Sequence, residues 1–327
     1  MRKIPLNLFG TAFGTAGLGG TWLTAAAQGY APTAVGLVLL AVATVLWAVV
    51  LGFYGTYAIT QRALVKDLVD PIGGPFAALA LITPMLIAGQ TLPRPAATVI
   101  VDVFAVLIVL HGSWFTGQLI YAGMDFDQLH PGYFLPSAAG GFVAAASAAT
   151  VGQHEFGVLL LGFGIISWLI LGSLILGRLV FRPPLPDPLT PTIAIEVAPA
   201  AVASLAYFAL FGDRVDTVAA LLGGYGLLMV LAQLRLLPRY VRLRFAPSFW
   251  AFTFAWAGVA TAALHWLKWE RPAGQGLWTC FVLIAITTLV AAIGVRTVLG
   301  LFRDTLLPRP PVVLPVDTVR PTVGSVG

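Results

Sequence analysis

The chain has 327 residues, of which 59% are hydrophobic and only 9% are charged. Because a soluble domain carries about 25% charged residues, this composition excludes a soluble globular protein and predicts an all-α integral membrane protein. The net charge of +5 would suit a nucleic-acid-binding protein, but the distribution of the basic residues, described below, gives it another cause.

Apolar runs of about 20 residues predict transmembrane helices, and ten such runs follow one another along the sequence. The third run is the shortest, and its ends are the least defined. The last residues are rich in proline and lack apolar runs, which predicts one transmembrane domain over 1–305 and a disordered cytoplasmic tail over 306–327. The predicted spans are 6–27, 32–59, 75–90, 97–121, 132–151, 155–181, 192–211, 215–237, 248–266 and 276–302.

The amino-terminal run also allows interpretation as a cleaved signal peptide. Arg2 and Lys3 precede it, and the alanines at 25–27 resemble a cleavage site. However, the run is long and rich in glycine, and its removal would leave the second span without a partner. We therefore predict that it is retained as the first span.

The loops alternate in basic charge. Of the 18 basic residues, only Arg94, Arg214, Lys268 and Arg271 fall on one face, and the others share the face that holds both termini. Because positively charged loops remain in the cytoplasm, we predict a multi-pass protein of a bacterial-type inner (plasma) membrane with both termini cytoplasmic. This topology explains the basic charge, and we expect no nucleic-acid partner.

The spans also alternate in composition. Even-numbered spans are long and rich in leucine, valine and isoleucine, whereas odd-numbered spans are rich in small residues and often follow a proline. A proline inside a helix frees a carbonyl group and kinks the helix. Small, kinked helices suit either tight packing or the wall of a central pore, and their fivefold repetition favours the pore. The predicted pore-lining residues are Gly14, Pro84, Pro136, Pro199, Ala251, Gly258 and Thr261.

Six stretches of sequence carry a resemblance to a known family. They are NLFGTAFG in the first span, HPGYFLPSAAGGF in the fifth, GFGIISWLI in the sixth, EVAPAAVASLAY in the seventh, DRVDTVAALLGGYGLL into the eighth and FWAFTF in the ninth. Each is weak alone, but their order and spacing are specific. The chain resembles the family of bacterial tellurite-resistance TehA proteins and plant guard-cell slow anion channels, which also includes fungal malate and sulfite transporters.

This resemblance implies an architecture and a gate. The ten helices would form five hairpins in a quasi-fivefold arrangement around a central pore, with the odd-numbered helices lining it. The resemblance also implies a homotrimer in which each subunit has its own pore. A phenylalanine of the ninth helix blocks the pore in this family, and FWAFTF maps that position onto Phe254.

Residue spacing in the ninth span supports this assignment. The residues on the helical stripe of Phe254 are Ala251, Gly258, Thr261 and His265, so one ring stands among mostly small side chains. Such a ring suits a plug across a narrow lumen, and the alternative is a knob that packs into a neighbouring helix. The other large residues of the span share a different face: Phe249, Phe252 and Trp256.

Two residues are candidates for ion or proton coupling. Glu196 lies inside the seventh span, where an ionisable group is costly and usually faces a partner or water. Three roles stay open for it: proton coupling, cation dependence, or pairing with an arginine at the cytoplasmic mouth. His130 precedes Pro131 at the cytoplasmic end of the fifth span and either contacts ions or caps the helix. Asp102 and His111 face opposite sides of the fourth span, so we expect structural hydrogen bonds from both.

We expect no enzyme, cofactor or metal site. The four histidines lack metal-ligand spacing, and GTAGLGG lies within an apolar helix rather than after a strand. Cys280 is the single cysteine, which excludes an intrachain disulfide.

The sequence therefore predicts a bilayer-embedded channel or transporter for small inorganic or dicarboxylate anions, gated by Phe254. Anions would gather at a basic cytoplasmic mouth, and an apolar lumen would select them by the cost of dehydration. The alternative is a proton-coupled carrier or exporter of a C4-dicarboxylate such as malate, of sulfite or of tellurite, which Glu196 favours. A membrane enzyme or scaffold would instead show no anion flux even when Phe254 is truncated.

The loop that holds Arg239 and Arg242 should be cytoplasmic because it shares the basic face. A cysteine placed at Arg242 should therefore resist an impermeant thiol reagent in intact cells and react after the membrane is permeabilised. Ready labelling from outside would overturn the predicted topology.

Overall fold

The computed structural model describes residues 3–121 and 123–307, and within these ranges the chain is helical and contains no strand. The predicted tail lies outside the described residues, apart from its first two. The α-helices of the described ranges are α1 (Gly10–Ala27), α2 (Thr33–Thr60), α3 (Leu64–Val69), α4 (Ala78–Thr91), α5 (Arg94–Tyr121), α6 (Gly140–Thr150), α7 (His154–Phe181), α8 (Ala198–Phe211), α9 (Thr217–Tyr240), α10 (Trp250–Glu270) and α11 (Gln275–Phe302).

Among the described residues, seven helical segments are long and apolar enough to cross a membrane. Five of them are α2, α5, α7, α9 and α11, and the other two are Gly74–Thr91 and Thr190–Phe211, which contain α4 and α8. The predicted first, fifth and ninth spans fall on α1, α6 and α10, which are helical but are not among the seven. Their glycine, alanine and threonine residues lower the hydropathy, and α6 has only 11 residues. The number of ten spans therefore stays a prediction.

Five helices form an inner layer. Helices α1, α4, α6, α8 and α10 pack against one another in chain order, and α10 returns to α1, so that the five close a ring. In the segment Thr190–Phe211, which contains α8, 78% of the most apolar 18-residue stretch is buried inside the protein. The corresponding share is only 11% in α9 and 17% in α2. Buried inner helices and exposed outer helices are the arrangement that the alternating composition of the spans favours.

The inner helices begin irregularly. Short 3-10 segments precede α1, α4, α8 and α10, and a π-helical turn, Leu135–Ala139, leads into α6. Pro136 lies in this π turn, and Pro199 lies in the first turn of α8, where a missing N–H group is tolerated. Of the three prolines expected to kink α-helices, only Pro84 lies inside one.

The backbone defect at Pro84 is repaired by the outer layer. Pro84 has no N–H group to donate to the carbonyl oxygen of Ala80 one turn earlier. The indole Nε1 of Trp47 on α2 donates to that oxygen at 2.9 Å. Since lipid offers no hydrogen bonds, a neighbouring helix must satisfy such a group, and this bond ties α2 to α4.

Helices α6 and α7 meet through two glycines. A Cβ atom at Gly141 would lie 2.7 Å from the backbone nitrogen of Gly164 and 2.9 Å from the carbonyl oxygen of Leu160. Both neighbours are backbone atoms that cannot rotate away, so the contact requires glycine at position 141.

Gly141→Ala should therefore lower stability by about 1–3 kcal/mol, because it overpacks a close helix contact. Gly162→Ala is the matched control, since a Cβ atom at Gly162 would meet nothing within 4 Å. Thermal unfolding in detergent compares the two variants with the parent. Equal midpoints for both variants would contradict this packing of α6 on α7.

Candidate functional site

The ring of inner helices encloses two cavities. The larger has a volume of about 230 Å³ and is lined by all five inner helices toward their carboxyl ends. The smaller has a volume of about 40 Å³ and lies toward their amino ends. We call them the C-side cavity and the N-side cavity.

Phe254 is part of the wall of both cavities. Its ring stacks on Phe13 of α1, with ring centroids 3.6 Å apart and planes 20° apart. A Cβ atom at Gly17 would lie 2.8 Å from the Phe254 ring, so the missing side chain at Gly17 makes room for it. The stacked rings therefore lie where the two cavities adjoin.

The residues on the stripe of Phe254 lie along these cavities. Ala251 lines the N-side cavity, and Gly258, Thr261 and His265 line the C-side cavity. Phe252 faces elsewhere and packs edge-on against Tyr240 of α9, with centroids 4.9 Å apart. The two phenylalanines of this turn therefore have different surroundings.

Phe13 is the member of this stacked pair that sequence reasoning missed. It is 2% exposed and lines the N-side cavity. Gly10 precedes it by three residues and Gly17 follows it by four, which is the pattern of one ring among small neighbours that singled out Phe254. The same argument applied to the first span would have found it.

Four of the predicted pore-lining residues are absent from the walls of both cavities: Gly14, Pro84, Pro136 and Pro199. A Cβ atom at Gly14 would collide with the side chain of Thr253, so Gly14 allows α1 and α10 to approach. The carbonyl group of Pro136 packs against Gly112 of α5. These residues shape the packing of the inner helices rather than the cavity surface.

A third cavity, which we call the vestibule, has a volume of about 220 Å³ and shares Asn7 and Ser248 with the N-side cavity. Lys3 Nζ lies in it, 3.2 Å from Asp67 Oδ1 and 3.9 Å from Asp70 Oδ2. Two carboxyl groups thus face one ammonium group. The basic mouth expected from the sequence is not what the vestibule shows.

Two arginines of the predicted cytoplasmic face are engaged with Asp127 instead. Arg178 donates to the carbonyl oxygen of Asp127, and Arg182 Nε lies 2.7 Å from its carboxylate. The hydrogen bond from Arg182 holds the pKa of Asp127 below its ordinary value. These arginines tie the end of α7 to the segment that precedes α6, and they do not line the vestibule.

Glu196 lies away from the cavities. It is 3% exposed in the 3-10 segment Thr190–Val197, and it lines neither cavity nor the vestibule. Within the described residues it has no ion pair, and its Oε1 atom has no hydrogen-bond partner. Tyr225 and Tyr240 of α9 lie within electrostatic range of its carboxyl group. Glu196 therefore lies near the outer helix α9, and none of the described arginines pairs with it.

His130 caps the start of the fifth predicted span. Its Nδ1 atom accepts from the N–H of Gly132 at 3.1 Å, and its Nε2 atom lies 3.2 Å from the carbonyl oxygen of Ile72. The ring stacks on Phe76 and is fully buried. Burial lowers the pKa of His130 to about 4, despite the opposing hydrogen bonds to backbone carbonyls. Both ring nitrogens are occupied, which leaves no atom for an ion.

The chain is similar to a family model and to known proteins over more than half of its length. Residues 3–298 match the family model of SLAC1, described as a voltage-dependent anion channel. The chain is 32% identical over 269 residues to a tellurite resistance protein TehA homolog of Haemophilus influenzae, covering 80% of each chain. It is 27% identical over 202 residues to the S-type anion channel SLAH3 of Arabidopsis thaliana, covering 59% of this chain and 30% of that one. A second Arabidopsis thaliana protein, the S-type anion channel SLAH1, is 25% identical over 189 residues, covering 57% and 48%.

The buried cap makes stability depend on pH. An unfolded histidine binds a proton near pH 6.5, whereas His130 in the fold does not until about pH 4. The folded protein should therefore lose up to about 3 kcal/mol as the pH falls through this window. His130→Asn keeps an acceptor for Gly132 but cannot titrate, so thermal unfolding should show lower stability at neutral pH and a shallower loss in acid. His154→Asn changes an exposed histidine, so its stability should fall with pH as steeply as that of the parent. An equally steep fall in His130→Asn would refute the assignment of the pH dependence to His130.

Proposed function

Because the chain belongs to the SLAC1 family of voltage-dependent anion channels, we propose that it passes small anions through the vestibule, the N-side cavity and the C-side cavity in turn. The observation that carries this proposal is the position of Phe254 in the wall shared by two cavities inside one ring of helices. The lining of these two cavities contains no aspartate, glutamate, lysine or arginine. Selection among anions then depends mainly on the cost of removing their water.

The proposed architecture has ten spans in five hairpins with quasi-fivefold symmetry. It is supported by the closed ring of inner helices and by the packing of each inner helix against the outer helix that follows it in the chain. With both termini in the cytoplasm, the vestibule faces the cytoplasm and the C-side cavity faces the outside.

We extend the proposal to a homotrimer in the inner (plasma) membrane with one pathway in each subunit. The ring closes within a single chain, so each subunit holds a complete pathway and no partner is needed to build one. The long apolar outer helices, of which α9 is the least buried, supply the surface for lipid or for neighbouring subunits.

Gating follows from the contact of the two rings. A phenyl ring excludes ions by its volume and offers no hydrogen bond to replace lost hydration. The stack of Phe254 on Phe13 must part before an ion passes. The C-side cavity provides the space into which the Phe254 side chain can rotate, because Gly258 lies one turn along the helix and carries no side chain.

A proton-coupled carrier for a dicarboxylate, sulfite or tellurite that couples through Glu196 requires the carboxyl group of Glu196 on the pathway. Glu196 suggested such a carrier from the sequence, but its carboxyl group lies near α9 and lines none of the three cavities. The position of Glu196 therefore gives this alternative no support, and channel-like flux is the proposal that we retain.

Phe254→Ala should raise anion flux in proteoliposomes severalfold or more, with the larger anions gaining most, because it removes the shared wall. Phe13→Ala should also raise flux, since it removes the other ring of the stack. The measurement is the efflux rate of a panel of anions at matched protein density.

Phe252→Ala is the matched control because it removes the same atoms two residues away. Phe252 is 9% exposed and packs on Tyr240, so its truncation should cost about 3–5 kcal/mol of stability with little gain in flux. An open pathway in Phe252→Ala and a closed one in Phe254→Ala would place the gate elsewhere.

A further inference from the structure

The two cavities on either side of the stacked rings differ in polarity. Asn7 and Ser248 are the polar residues in the wall of the N-side cavity, apart from the indole of Trp250. The wall of the C-side cavity is richer in polar groups, and these come from four of the five inner helices. They are Thr24, Gln90, Ser147, Thr150, Thr261 and His265.

Most of these hydroxyl groups are already engaged. Thr24 donates to the carbonyl oxygen of Gly20 at 3.0 Å, Thr150 to that of Ser147 at 2.7 Å, and Thr261 to that of Ala257 at 2.8 Å. The hydroxyl group of Ser147 makes no hydrogen bond within the described residues, although Ser147 is only 4% exposed. Its hydroxyl oxygen is open to the cavity, where a ligand or water can accept its hydrogen.

His265 is the one titratable residue in this wall, at the end of the cavity away from Phe254. Its Nδ1 atom lies 2.8 Å from Asp213 Oδ1, an ion-pair distance without the alignment of a hydrogen bond, and Lys268 pairs with the other carboxylate oxygen. The ring stacks on Phe208 of α8, with centroids 4.9 Å apart. Its Nε2 edge has no hydrogen-bond partner among the described residues.

The charges that act on His265 come from two residues. Asp213 lies in the connection between α8 and α9, and Lys268 lies on α10 itself. The other surrounding elements contribute uncharged groups, namely Thr24 of α1, Gln90 of α4, and Ser147 and Thr150 of α6, with Phe208 of α8. Burial alone would raise the pKa of Asp213, but the hydrogen bond from Lys268 and the charge of His265 hold it below its ordinary value. With neutral His265 the carboxylate and ammonium charges balance, and a proton on His265 leaves one positive charge.

We propose that the C-side cavity is a binding site for one small inorganic anion, in which Ser147 donates a hydrogen bond and His265, held by Asp213, supplies the charge. This inference rests on the proposed function and adds a site to it. The cavity volume of about 230 Å³ suits a halide or a small oxyanion such as nitrate with part of its water. Acid on the outer side strengthens binding because it charges His265.

Nitrate binding tests this site directly. The full-length protein is titrated with nitrate in detergent at about pH 4.5 and about pH 8, so that the acid arm lies well below the ordinary pKa of histidine, and the thermal midpoint reports binding. Gluconate at equal ionic strength is the control anion. We expect the half-saturating nitrate concentration to be about fivefold lower in acid, and His265→Gln to abolish this difference. Absence of nitrate stabilisation at either pH, or an unchanged pH effect in His265→Gln, would overturn the site.

Matched variants separate the roles of the residues. Ser147→Ala should weaken nitrate binding about threefold at both pH values, whereas Ser204→Ala, whose hydroxyl donates to the carbonyl oxygen of Ala200, should not. Glu196→Gln should keep the difference in nitrate binding between the two pH values. If this variant lost the difference, the pH dependence could not be assigned to His265. Asp213→Asn, which removes the partner carboxylate, should move the pH effect to lower pH even if His265→Gln folds poorly.

Flux through Phe254→Ala distinguishes a failure of the site from a failure of the proposed function. If the flux changes neither with the outer pH nor with the added Ser147→Ala substitution, the anion pathway stands and the binding site is refuted. Nitrate binding with the expected pH pattern and no flux in Phe254→Ala keeps the site and refutes the pathway.

Discussion

The stacked rings of Phe13 and Phe254 are the contact on which the rest of the pathway depends. Phe13 belongs to the first of the five inner helices and Phe254 to the last. The contact between their phenyl groups therefore lies where the circle of helices closes, and it also lies between the two cavities. Gly17 carries no side chain where the Phe254 ring lies. In the proposed pathway a steric barrier of this kind is indifferent to charge, and the uncharged walls beside it would leave dehydration to select the ion.

The membrane places a second constraint on the inner helices, because no water replaces a missing backbone hydrogen bond. Pro84 breaks the hydrogen-bond ladder of α4, and the indole of Trp47 repairs it from the outer layer. Most threonine hydroxyl groups on the cavity walls donate hydrogen bonds to backbone carbonyl oxygens of their own helices. Few donors are left for a ligand as a result, and the free hydroxyl of Ser147 and the free edge of His265 stand out on the C-side for that reason.

Helical spacing alone placed Phe254 on a stripe of small residues, because α10 is a regular helix around this turn. The orientation of Glu196 was beyond the same reasoning. Thr190–Val197 is a 3-10 segment, which turns every three residues instead of 3.6, so α-helical spacing does not tell which side Glu196 faces. The contact of His265 with Asp213 joins two segments that are distant in sequence. No local pattern marks such a pair, although the resemblance did predict membership of a family of membrane anion channels.

The separation of the two cavities by the ring pair is tested most directly by thiol accessibility from each side of oriented vesicles. Cys280, the exposed native cysteine, is first replaced by alanine, and Ala251→Cys and Gly258→Cys are then made separately. These positions line the N-side and C-side cavities on either side of Phe254. A small impermeant thiol reagent should modify the cysteine at 251 only from the cytoplasmic side and the cysteine at 258 only from the outer side. With Phe254→Ala added, each should react from both sides. Modification of both cysteines from one side while Phe254 is intact would contradict a barrier at the ring pair.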